Sequence, residues 1–193
     1  MTALRKADGL MSAAEFLAWT PPDGGFWQLV DGEPCAMAPL NRSHGAIQGE
    51  LARLLANHLV ETGSPCSVVV TPGVIPSTTA EQNVRIPDLA VACSRYETEE
   101  ATLAEPILLI EILSPGNHVE TWTGVWSYTT IPSVQEILVL QSRSIGAQVL
   151  RRRIDGTWPD QADKIEAGDL VLESIAFQAS LSSIYRTTRL DSR

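Results

Sequence analysis

Val84-Arg-Ile-Pro-Asp-Leu-Ala-Val-Ala92 and Ile107-Leu-Leu-Ile-Glu-Ile-Leu113 are two apolar, strand-forming stretches, each holding one carboxylate, Asp88 and Glu111. A carboxylate in an apolar strand is costly to bury unless it is paired, protonated or bound to a metal. Two such strands in succession predict a divalent-metal site displayed on a sheet.

Upstream of these strands, Cys66–Thr71 reads as a further strand, joined to them by a loop over 72–83. Before it, Ser43 is a candidate cap for a helix to about Val60, with Ile47, Leu51, Leu54, Leu55 and Leu59 forming an apolar stripe and Gly63 ending it. His44, His58 and Glu50 fall within or beside that stripe, so these polar groups are placed to look inward. Trp27–Val30 and Pro34–Ala38 predict a hairpin turned at Asp31-Gly32. Ser12 and Glu15 make a capping box for a short helix stopped by the Pro21-Pro22-Asp23-Gly24-Gly25 run.

Downstream, the pattern changes after Ser114-Pro115-Gly116-Asn117 to a helix carrying Trp122, Val125 and Trp126. Strands resume at Ile137–Leu140 and Ala147–Leu150, followed by Asp169–Leu172 and a short helix at Leu181–Tyr185. The order predicts an α+β fold: a mixed sheet flanked by helices, with an N-terminal β-hairpin. Nothing in the 193 residues reads as a linker, so one domain is expected over residues 11–185, with flexible ends at 1–10 and 186–193.

Charge and cysteine content narrow the function. Fourteen basic residues against 23 acidic ones give −9, which disfavours tight, non-specific DNA binding through a broad basic surface. The clearest basic run, Arg151-Arg152-Arg153, precedes an Asp155-Gly156 turn and reads as a solvated hairpin. Cys35, Cys66 and Cys93 are odd in number and form no CxxC pair, so reduced thiols are expected. No apolar leader opens the chain and no apolar run is long enough to span a bilayer, which points to a cytoplasmic protein with no membrane partner.

Several motifs in order carry a family resemblance: Asp31-Gly32-Glu33, Met37 and Pro39, Ser43-His44 opening a helix, Ile86-Pro87-Asp88, Ile110-Glu111-Ile112-Leu113-Ser114-Pro115, Tyr128, and Ile131-Pro132-Ser133-Val134-Gln135-Glu136. From about Met11 to Tyr185 the chain resembles the Uma-two family of restriction-endonuclease-like proteins, within the PD-(D/E)XK superfamily. The resemblance implies the restriction-endonuclease-like fold and an endonuclease that hydrolyses DNA phosphodiesters with Mg²⁺ or Mn²⁺. Those hard cations take carboxylate oxygens and activate water. Asp88 and Glu111 are then the expected catalytic metal ligands. Glu33, in the position of the family's Asp-Gly-Glu, is the third, with Glu50 on the helix competing for that role. His44, matching the helix-opening histidine, is expected to orient a water or phosphate, and a homodimer is expected of an enzyme that cuts both strands.

One departure sets a second class of function beside the first. The superfamily places a lysine two residues after the second acid, where this chain has Leu113, and most look-alikes move it onto the following helix. Here that helix, Asn117–Tyr128, has neither lysine nor arginine; His118 is its cation-capable side chain and Glu120 its nearest acid. Losing such a group costs on the order of 10²–10³ in rate if nothing replaces it. Basic residues such as Arg42, Arg53 and Arg85 gathering at the cleft would reconcile an enzyme with the acidic charge. The alternative is a non-catalytic binding or regulatory module, with Trp122, Trp126 and Tyr128 as an interface.

Overall fold

In the computed structural model, residues 9–95, 100–114, 116 and 118–191 are described. Six strands form one sheet in the order β3-β4-β5-β6-β7-β8: Ser67–Val70, Leu89–Ala92, Pro106–Leu113, Glu136–Gln141, Ala147–Arg151 and Asp163–Ile165. All neighbouring pairs are antiparallel except β5 and β6, which run parallel. A parallel pair needs a crossover, and the helix α3, His118–Tyr128, supplies it. The near-continuous apolar runs of β5 and β6 suit central strands covered on both faces.

Helix α2, Arg42–Glu61, packs Ile47, Leu51, Leu55 and Leu59 against one face, onto Leu89, Val91, Leu108, Ile110 and Ile112. The short helix α4, Leu181–Tyr185, and the hairpin of β9, Asp169–Leu172, with β10, Phe177–Ser180, complete that layer. Helix α3 covers the opposite face, where Val125 and Tyr128 meet Ala90, Leu109, Leu113 and Val139. At about 1.5–3 kcal/mol per fully buried aliphatic side chain, these two layers dominate the stability of the sheet.

The N-terminal hairpin forms as the sequence predicts. Strands β1, Trp27–Val30, and β2, Glu33–Ala36, pair Val30 with Glu33 around Asp31 and Gly32, both at positive φ, 50° and 80°. That combination defines a tight hairpin turn of the twist-compatible kind. A Cβ on Gly32 would also sit 2.6 Å from Leu10, so glycine is required on two counts. The hairpin is anchored to the segment before Asp88: Leu29 and Val84 exchange backbone hydrogen bonds, and Gly32 N–H donates to Gln82. The capping box of Ser12 and Glu15 opens the helix α1, Ala13–Leu17.

Four expectations are corrected. The cap of α2 is Asn41, whose side chain accepts the His44 N–H at 3.0 Å, while Ser43 lies inside the first turn. Cys66 and Cys93 form a disulfide rather than standing as thiols; the register Ser67↔Ala92 brings the two cysteines face to face just beyond it. The arginine run is not simply solvated. Arg151 reaches Glu136 at 3.0 Å and Asp163 at 3.2 Å, Arg152 bonds to Pro132 O, and Arg153 bonds to Thr157. Tyr128 is buried at 2 % exposure, so it joins no surface patch with Trp122 and Trp126.

The N-terminal stretch expected to be flexible is described only from residue 9, and Asn117, expected within the crossover helix, lies outside the described residues. At the other end, Arg186 bonds to Glu50, and Thr188 N–H donates to Tyr185 O, so the tail starts anchored to the body. No helix among the described residues is long and apolar enough to cross a membrane.

Candidate active site

Asp88 and Glu111 meet because of strand register. Strand β4 pairs Leu89 with Ile110 in antiparallel fashion, so one step back sets Asp88 opposite Glu111. Directly opposed side chains on an antiparallel pair stand about 4.5–5.5 Å apart at Cβ. Glu111 shares strand parity with Leu109 and Leu113, which turns it toward the α3 layer.

Each carboxylate has its own holder. Asp88, 5 % exposed, accepts the Ile112 N–H at 2.7 Å through Oδ2, and His44 Nε2 lies 2.8 Å from its Oδ1. A carboxylate only accepts, so Nε2 donates; the Ser114 hydroxyl, 2.9 Å from Nδ1, completes the imidazole. Gln48 donates to the Asp88 carbonyl at 2.8 Å. Two residues of α2, one turn apart, therefore clamp one residue of the sheet.

Glu111 accepts the Tyr128 hydroxyl at 2.7 Å. Burial first, then the negative charge of Asp88, holds its carboxyl well above the usual carboxylate range; the Tyr128 bond and Arg85 act against that. The Tyr128 hydroxyl is itself pushed well above the ordinary tyrosine range by burial and by Glu111. Two opposed carboxylates that resist carrying two negative charges could hold a cation between them. Their hard oxygens match Mg²⁺ or Mn²⁺, and Mg²⁺ is commonly held by one or two carboxylates with water and phosphate oxygens completing the shell.

Arg85 enters the same neighbourhood. Only 6 % exposed, it sits three residues before Asp88 on a segment whose backbone is bonded to Val74 at 2.8 and 2.9 Å. Its charge acts on both Glu111 and Tyr128. Among the described residues no hydrogen bond or ion pair engages its guanidinium, and its Nε is buried without a partner.

The other sequence-selected residues stand elsewhere. Glu33 lies on β2, where its charge acts on Cys35, and among the described residues no group of three or more His, Cys, Asp or Glu gathers to hold an ion. Glu50 is buried but committed to Arg53 and Arg186, each at 2.6 Å, with the Arg53 bond leading in lowering its carboxyl. Its job is to fasten the chain after α4 onto α2. His118 and Glu120 are exposed on the first turn of α3, where the His118 ring lies 6.4 Å from Trp122. Arg53 is spent on Glu50 and Arg42 is exposed on the first turn of α2, which leaves Arg85 as the arginine beside the carboxylates.

The comparisons with known proteins bear on the family and the fold. The Uma2 family, described as "Putative restriction endonuclease", matches residues 13–184. The chain belongs to the Uma2 family. This Uma2 protein is 26% identical over 182 residues to the uncharacterized protein slr1290 of Synechocystis sp. (strain ATCC 27184 / PCC 6803 / Kazusa), covering 91% of this chain and 92% of that one. Its fold is similar to a crystal structure described as a putative nuclease belonging to DUF820 from Anabaena variabilis ATCC 29413. The TM-score is 0.71 at 19% identity, over 91% of this chain and 98% of that one. The α+β fold read from the sequence, a mixed sheet flanked by helices with an N-terminal hairpin, is the one this chain has.

Sequence reasoning missed Ser114 and Gln48 as holders of His44 and Asp88, and it gave Tyr128 no contact with Glu111. Ser114 and Tyr128 were legible only as family motif positions. For Gln48, the one available signal was its spacing of four from His44 on the same helix.

Proposed function

We propose that this Uma2 protein is a metal-dependent endonuclease that hydrolyses DNA phosphodiesters at Asp88 and Glu111, with Mg²⁺ or Mn²⁺ as cofactor. The observation that carries the proposal is the opposed pair itself: two carboxylates in register, each oriented by its own hydrogen bonds, and one of them held toward its protonated form by burial and then by the other's charge. When bound, the cation supplies an activated water and neutralises charge on the phosphoryl oxygens.

The chain's own residues do the rest. Ile112 N–H and His44 fix both oxygens of Asp88, so the carboxylate keeps its aim without rearrangement. Tyr128 turns Glu111 by one oxygen, Oε1. Ser114 holds His44 in the orientation that faces Asp88, the kind of support that ligand-orienting residues require. The buried ring of Tyr128 and its neighbours Leu109 and Leu113 keep water from the back of the pair.

A homodimer belongs to the same proposal, because cutting both strands takes two sites. The second reading, a non-catalytic module, is favoured by one observation: no lysine or arginine lies between His118 and Tyr128.

Cleavage of single- and double-stranded DNA at low salt, with Mg²⁺ or Mn²⁺ and with EDTA, tests the proposal. Native chain is expected to cut with metal only, and Asp88→Asn and Glu111→Gln to abolish cutting while staying folded. No cutting by folded native protein under any of these conditions would transfer the case to the module.

A further inference from the structure

A phosphodiester in this site needs a positive charge that α3 does not provide. The neighbourhood of the pair has one, in an unusual state. Arg85 is 94 % removed from solvent by its 6 % exposure, its backbone is fixed by both bonds to Val74, and its charge acts on Glu111 and Tyr128. A guanidinium kept merely as counterion would sit in an ion pair with one of the carboxylates. None engages it among the described residues, and Nε is buried with no acceptor at all. Buried donors are normally satisfied, and an exception calls for an explanation.

The nearby carboxylates are each oriented by other donors. Asp88 is taken by His44 and Ile112, and Glu111 by Tyr128. A phosphate oxygen is an acceptor that suits it: the guanidinium is planar, always charged, and spaced to bind phosphate with two parallel bonds.

We propose that Arg85 binds a non-bridging oxygen of the phosphodiester at the Asp88–Glu111 site, supplying from the strand side the positive charge that the crossover helix lacks. This rests on the nuclease reading above and deepens it. Arg85 thereby touches the substrate, and the three-residue spacing to Asp88 ties phosphate contact and carboxylate to one rigid segment.

The test compares native chain with Arg85→Met and Arg85→Lys, after circular dichroism has verified folding. Binding of a short fluorescein-labelled DNA is read by anisotropy with Ca²⁺, and cutting is read with Mn²⁺. Arg85→Met is expected to weaken binding by about tenfold or more and to lower cutting by on the order of 10²–10³, with Arg85→Lys recovering part of both. The salt slope of binding should fall by about one for Arg85→Met. A folded Arg85→Met chain that binds and cuts like native overturns the inference and leaves the nuclease reading intact. A native chain that binds in an Arg85-dependent way but does not cut overturns the nuclease reading and leaves Arg85 as a phosphate contact. If Arg85→Met does not fold, the Nε–H resonance of Arg85 in native chain decides. It is assigned by its loss in Arg85→Lys, and it must move in a saturable way as the labelled DNA is added with Ca²⁺; an unmoved resonance overturns the inference.

Discussion

Tyr128→Phe isolates one bond of the site. The ring is buried at 2 % exposure among Leu109, Leu113 and Val125, and phenylalanine refills that space, so the hydroxyl that donates to Glu111 at 2.7 Å is what the change removes. A hydrogen bond to a neutral partner contributes about 0.5–1.5 kcal/mol and one to a charged partner about 1.5–3 kcal/mol. Burial and Asp88 hold Glu111 toward its protonated form, while the Tyr128 bond opposes them by favouring the ionised form. Removing the bond therefore raises the carboxyl further, and the penalty on the variant must grow as pH rises and ionisation is demanded. In EDTA, about 1 kcal/mol is expected at pH 5 and about 2–3 kcal/mol at pH 9. At about 2–4 °C per kcal/mol for a domain of this size, the melting temperature should drop by a few degrees at the lower pH and by roughly 4–12 °C at the higher. Scanning calorimetry of both chains across that range reads it. A variant as stable as native throughout, or a penalty that shrinks with rising pH, refutes the account of the pair.

Three further outcomes follow from the same structure. In EDTA, Glu111→Gln should be more stable than native chain above the ordinary carboxylate range, and the gap should widen with pH. The raised carboxyl favours folding below its unfolded value of 4.5, and that contribution is lost as pH climbs, whereas glutamine has nothing to lose; thermal melts across pH 4–9 read the gap. Replacing both Cys66 and Cys93 by alanine opens a loop of sequence separation 27 and should cost about 3.5 kcal/mol on the chain-entropy account, seen as a lower denaturation midpoint with a steeper slope as the unfolded chain expands. Tyr185, whose hydroxyl is pushed up to about 12 by burial and donates to Gln141 O and Gly146 O, should ionise late in an ultraviolet titration. Stability should fall between pH 10 and that point, and Tyr185→Phe should remove this step while leaving the late ionisation of Tyr128.

How much of this was legible in the chain depended on whether a signal was local. Asp31-Gly32 announced its turn because a two-residue hairpin loop is decided by the two residues in it. Asp88 and Glu111 stood out because a lone carboxylate in an apolar run violates a local rule. Glu50 looked like a ligand because it borders the apolar stripe of its helix, and its partner Arg186, 136 residues away, shows it to be a fastener. The disulfide was hidden by register: nothing near Cys66 or Cys93 in sequence says that β3 and β4 align them. The Tyr128 bond to Glu111 spans 17 residues and exists because the crossover helix returns over the sheet, which no spacing within α3 reveals. Asn41 displaced Ser43 as cap because both residue types suit the position, and geometry chose between them.

The disulfide between Cys66 and Cys93 has a topological effect on the site. It closes residues 66–93 into a covalent ring that contains β3, the Val74 pairing, Arg85 and Asp88. A protease nick on the rim of that ring, for example in the turn at Ser77–Thr79, severs the backbone without separating the pieces, because the sulfur bridge still spans the cut. Asp88 and Arg85 stay on one fragment and β3 on the other, so the nicked molecule runs as one mass until a reductant is added and as two thereafter.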